Sequence, residues 1–95
     1  MDTLIQFPQI AKRIIQEQEL VIGPLAWEEA GKVAGLNVDQ FHKSVSVSGD
    51  AKDVIDHLVA QYERIFGKAS HAVCHDAVKD LIAEMSPEEV PSSLK

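Results

Sequence analysis

Cysteine is nearly absent from this chain of 95 residues, and the one present, Cys74, excludes an intrachain disulfide. That agrees with a reducing compartment. Long apolar runs are missing too, so no stretch is suited to span a membrane as a helix. The opening MDTLIQFPQI lacks the basic start and extended apolar stretch of a secretory leader, and a cytoplasmic location is expected. Basic charge is scarce: nine Lys and Arg stand against 15 Asp and Glu, for a formal charge of −6. Neither half of the chain is basic, which disfavours contact with nucleic-acid phosphates or an anionic membrane. No Gly-rich phosphate loop, Ser-His-Asp arrangement or G-x-S-x-G elbow occurs. The chain reads as a non-enzyme that needs no cofactor.

What the chain does hold is apolar residues at helical spacing, with a hydrophobic content of 45% that is too high for disorder. Ile10, Ile14 and Val21 recur on one face of a first helix, beside Ala11, Ile15 and Ile22. Pro8 suits its first turn, and Gly23-Pro24 stops it and opens a second helix reaching about Ala34. Residues 36–49 read as a connector, with a helical turn over Val38 to Lys43. The alternation of SVSVS (44–48) suits a strand, but it has no evident partner in a helical chain and is expected to be merely extended. Asp50 caps a third helix bearing Val54, Leu58, Tyr62 and Ile65, flanked by Ile55, Val59 and Phe66; Gly67 ends it. A fourth runs from about Lys68 to Met85. The spacing thus predicts an all-α domain over residues 1–90, with four main helices in two hairpins, one further turn at Ser86 to Glu89, and a flexible tail at 91–95.

Residues 10–34 overlay residues 54–78 in pattern. Ile14 falls on Leu58, Glu19 on Glu63, and Val21-Ile22-Gly23 on Ile65-Phe66-Gly67. Each half is a long helix, a glycine break and an alanine-rich helix, so a duplicated hairpin is one reading.

HAVCH (71–75) brings His71, Cys74 and His75 to one helix face, a spacing that can hold a metal if His57 or Asp76 adds a ligand. The overlay favours a plainer reading, because Cys74 falls on Ala30, a small inward position. No metal is therefore expected, and those three residues remain candidates for a sensor. AGKVAGLNVDQF (30–41) suggests a helix-turn-helix whose reading helix would span about Val38 to Ser44. It would offer one acid and little base to a DNA groove, so nucleic acid is not expected as a partner. Asp50, Asp53 and Asp56 suit a solvated helix start and lack the rest of a calcium loop. Trp27, Tyr62 and Phe66 are candidate partner-binding side chains, and Gly23, Pro24 and Gly67 are structural.

Leu20-Val21-Ile22-Gly23-Pro24-Leu25-Ala26 resembles an IGPIA signature of small helical domains at the C-terminal ends of bacterial protein kinases and response regulators. The second half, with IFGKA, departs from it. The resemblance implies a bacterial signalling context and a docking role, with Gly23, Pro24 and Ala26 structural. The two adjacent apolar stripes on the first and third helices are wide for one packed face, which suggests a homodimer. The resulting expectation is a protein-interaction or regulatory domain that binds a protein partner and self-associates. A nucleic-acid-binding regulator and a metal or redox sensor are the alternatives.

Overall fold

A computed structural model describes residues 7–95. The reading of the first residues as no leader falls largely on residues 1–6, outside that range. The elements are α1 (Phe7–Ile22), α2 (Leu25–Ala30), β1 (Leu36–Asp39), β2 (Ser44–Val47), α3 (Ala51–Phe66) and α4 (Lys68–Ile82), followed by 3₁₀ turns at Pro87–Glu89 and Ser92–Leu94. The fold is mostly helical, with one small antiparallel sheet.

The helix boundaries follow from the punctuation residues. Gly23 takes φ 74°, which glycine alone adopts without strain, and its N–H donates to the Glu19 carbonyl at 2.9 Å. Pro24 then opens α2. The Asp50 side chain accepts from the Asp53 N–H at 3.2 Å, capping α3. Gly67, at φ 91° and ψ −179°, separates α3 from α4.

The core lies where α1, α3 and α4 meet, and α1 packs most extensively on α4. Ile10, Ile14, Ile15, Ile55, Leu58 and Val78 are completely buried there. Arg13 of α1 reinforces this contact by donating to the Ala77 carbonyl at 3.2 Å and pairing with Asp80 at 3.3 Å. Both stripes of α3 lie against this core, and what stays exposed sits at the helix ends, at Leu20, Val21 and Ile65. The width of the stripes is therefore monomer core, not an open dimer face.

Three expectations are corrected. First, SVSV at 44–47 is a strand: it pairs with Leu36–Asp39 in the register Leu36↔Val47, Val38↔Val45. Those four side chains turn toward the core, and burying them drives the pairing. Asp39 Oδ1 accepts from the His42 N–H at 3.1 Å, which stabilises the turn in place of a helix over Val38 to Lys43. The helix-turn-helix reading thereby loses its reading helix. Second, α2 stops at Ala30, four residues early, and turns carry the chain to Gly35. Third, residues 91–95 pack against the domain. Leu94 is completely buried, and Asp56 accepts from Ser92 Oγ at 3.0 Å, Ser93 N at 3.0 Å and Ser93 Oγ at 2.6 Å.

Candidate functional site

The HAVCH face divides in two. Cys74 turns into the core and is completely buried, as its overlay on Ala30 implied. The Gln18 amide donates to Cys74 Sγ at 3.3 Å and to the Ser70 carbonyl at 2.9 Å. Burial pushes the Cys74 thiol up to about 11, so it is a poor nucleophile and a poor metal ligand at neutral pH. His71 and His75 face outward. His75 Nδ1 is 3.7 Å from its neighbour Asp76. His57, the other proposed ligand, lines a separate surface pocket with Lys32 and Arg64. Among the described residues, no three His, Cys, Asp or Glu side chains are grouped to hold a metal.

His71 is the most connected of the three. Its Nδ1 lies 3.0 Å from Glu63 Oε1 and its Nε2 lies 2.6 Å from the Ser93 carbonyl oxygen. Both partners are acceptors. A neutral imidazole carries one N–H, so only the imidazolium donates to both. The surrounding pocket, of about 520 Å³, is also lined by Lys68, Ala72, His75, Asp76 and Lys95.

Trp27 and Tyr62 do not present themselves to a partner. Trp27 is 2% exposed, and its indole N–H donates to Glu19 Oε1 at 2.9 Å. Lys43 sits 4.9 Å from the ring centroid and pairs with Glu19 Oε2 at 2.8 Å. The Lys43 and Trp27 bonds hold the Glu19 carboxyl below its ordinary value. Tyr62 is completely buried and donates to the Ala26 carbonyl at 2.6 Å; burial pushes its phenol well up. Phe66 is half-buried against the core.

These bonds repeat between the two halves. On the overlay of residues 10–34 with 54–78, Trp27 and Glu19 fall on His71 and Glu63, and each ring bonds its glutamate. Gln18 reaches the Ser70 carbonyl, while Tyr62, its counterpart, reaches the carbonyl of Ala26, the counterpart of Ser70. The two cross-half bonds are reciprocal, as in a two-fold contact.

The side chains that are exposed and apolar are others. Leu20 is 80% exposed, Val21 64%, Leu25 39% and Phe41 89%. The first three flank the Gly23-Pro24 junction. Phe41 stands at the hairpin tip, edge-on to His42. Sequence reading missed Phe41 because its segment was read as helical, and missed Leu20 because it lies off the Ile10-Ile14 stripe. No helix among the described residues is long and apolar enough to cross a membrane. Neither a family model, nor a curated protein, nor a solved structure matches this chain.

Proposed function

We propose that this domain is a non-enzymatic protein-interaction module of a bacterial regulatory system, acting in the cytoplasm, and that it pairs with a second copy through the edge at Leu20, Val21 and Leu25. The observation that carries this reading is the exposure of three large apolar side chains at one junction. At two of the three positions the fold does not require a large apolar residue: the overlay places Arg64 and Ala69 where Leu20 and Leu25 stand, while Val21 meets Ile65. The LVIGPLA resemblance falls on the same stretch and supports a docking role. We also read the domain as two duplicated hairpins, which the reciprocal bonds and the positive φ of both Gly23 and Gly67 support.

Magnitude decides how tight the pairing is. Full burial of a large aliphatic side chain contributes roughly 1.5–3 kcal/mol. Leu20, Val21 and Leu25 are already partly covered, so what remains to be buried equals about two such side chains per copy, or roughly 6–12 kcal/mol against an association cost of about 4–15 kcal/mol. Self-association is therefore weak and concentration-dependent. Sedimentation equilibrium tests it. The apparent mass should rise above 10.4 kDa with concentration, and Leu20→Glu with Val21→Glu should hold it at the monomer without changing the melting temperature. A constant monomer mass for the unaltered chain up to millimolar concentration refutes the pairing.

A further inference from the structure

The two ring–glutamate pairs differ in one chemical respect. In the first half the ring is the indole of Trp27, whose single N–H serves Glu19 at any ordinary pH, and the Lys43 ammonium of the following hairpin closes the site. In the second half the ring is the imidazole of His71, and the segment that closes over it is the C-terminal strap, residues 90–95, through the Ser93 carbonyl. We propose that the strap is a latch locked by the doubly protonated form of His71.

The geometry carries the proposal. Glu63 on α3 and Ser93 on the strap sit on opposite ring nitrogens, and both accept. Loss of the proton turns one N–H into a lone pair facing an oxygen lone pair. The Glu63 carboxylate is charged and the Ser93 carbonyl is not, so the remaining proton is held at Nδ1 and the bond at Nε2, the one to the strap, is lost. The charged or titratable groups facing this pocket are Glu63 from α3, Lys68, His75 and Asp76 from α4, and Lys95 from the strap; α1, α2 and the hairpin contribute none to its lining. Asp56 accepts its three bonds from Ser92 and Ser93 independently of the ring, so it holds the strap in both states. His71 therefore sets how often the strap opens, not whether it can dock. Opening withdraws Leu94 from its seat against α3 and α4 and uncovers apolar surface there.

The loss of one charge-assisted hydrogen bond, partly screened by water, corresponds to roughly a tenfold increase in strap opening. The test follows the Leu94 methyl resonances and the Ser92 to Lys95 amides of the full chain by NMR from pH 5 to 8.5, alongside the His71 Cε1–H resonance. The strap signals should move toward their exposed positions with the same midpoint as the His71 ring. His71→Trp, which copies the first half, and His71→Gln should both make the strap signals independent of pH over this range. Strap signals that stay constant in the unaltered chain overturn the proposal. So does a pH response that survives in His71→Gln, because another group, such as His75, then drives it.

Discussion

Replacing Gly35 with alanine is the sharpest available test of how the hairpin is set on α3. Gly35 sits at φ 86°, and a Cβ built there would lie 2.7 Å from Val54 Cγ2 and 2.8 Å from the Ser48 carbonyl oxygen. Neither neighbour yields easily. Val54 is buried, and Ser48 is tied to this residue by its N–H, which donates to the Gly35 carbonyl at 2.8 Å. Positive φ costs an alanine about 1 kcal/mol, and forced overpacking adds roughly 1–3 kcal/mol. Gly35→Ala should therefore destabilise the domain by roughly 2–4 kcal/mol. At about 4–8 °C per kcal/mol for a domain of this size, the melting midpoint should fall by at least about 8 °C. Two controls separate strain from crowding. Gly23 and Gly67 also have positive φ, but a Cβ at either meets nothing within 4 Å. Gly23→Ala should cost about 1 kcal/mol, and Gly67→Ala roughly 1–3 kcal/mol, because its φ and ψ lie in a region almost reserved for glycine. Thermal unfolding followed by circular dichroism measures all three. If Gly35→Ala melts no lower than Gly23→Ala, the close approach of the hairpin base to Val54 is wrong.

Cys74 should react with a thiol reagent in native buffer far more slowly than a free thiol peptide, and at the peptide's rate in guanidinium; fast native labelling would contradict its burial beside Gln18. Trp27 should fluoresce at the short wavelength of a buried indole, and an emission maximum like that of free tryptophan would place the ring in water. The Asp56 carboxyl is held below its ordinary value: burial raises it, but the bonds from Ser93 and Ser92 together outweigh that. A depressed folded value stabilises the docked strap above the unfolded value, near pH 4, and the benefit is lost as pH falls through the folded value. The Ser93 amide should thus lose protection from exchange in acid, and in Asp56→Ala at neutral pH; protection unchanged in both would remove Asp56 as the anchor.

The helices were readable because their signals are local. Asp50, Gly67 and the Ile14 and Leu58 stripes are each interpretable within a turn or two of chain. The hairpin was not. Its first strand, LNVD, alternates but is only four residues long and lies within a stretch that also reads as helix and turn, and its turn, QFHK, carries no glycine and places Lys43 at φ 55°. The strap was illegible for a different reason. PSSLK offers only Pro91 and Leu94 as apolar side chains, with no periodicity, and the carboxylate that fixes it, Asp56, is remote in sequence. The candidate site was half legible. The overlay placed Cys74 inward, but it could not reveal that Glu63 and the Ser93 carbonyl flank His71, because the latter contact depends on where the strap lands. The setting of Trp27 is likewise non-local, since Glu19 of α1 bonds its indole and Lys43 of the hairpin turn pairs with that same carboxylate.

The reciprocal bonds from Gln18 to Ser70 and from Tyr62 to Ala26 have a consequence for covalent connectivity. Each half completes the other, with α1 lying chiefly on α4, so neither half is a self-sufficient folding unit. The peptide link between them runs through Ser48, Gly49 and Asp50, all exposed, and Gly49 has open space around it. A single cut at Gly49 should leave two pieces that stay together and keep the native circular dichroism, since most of the fold's long-range contacts do not pass through that link. The same chain cut within α3 should fall apart.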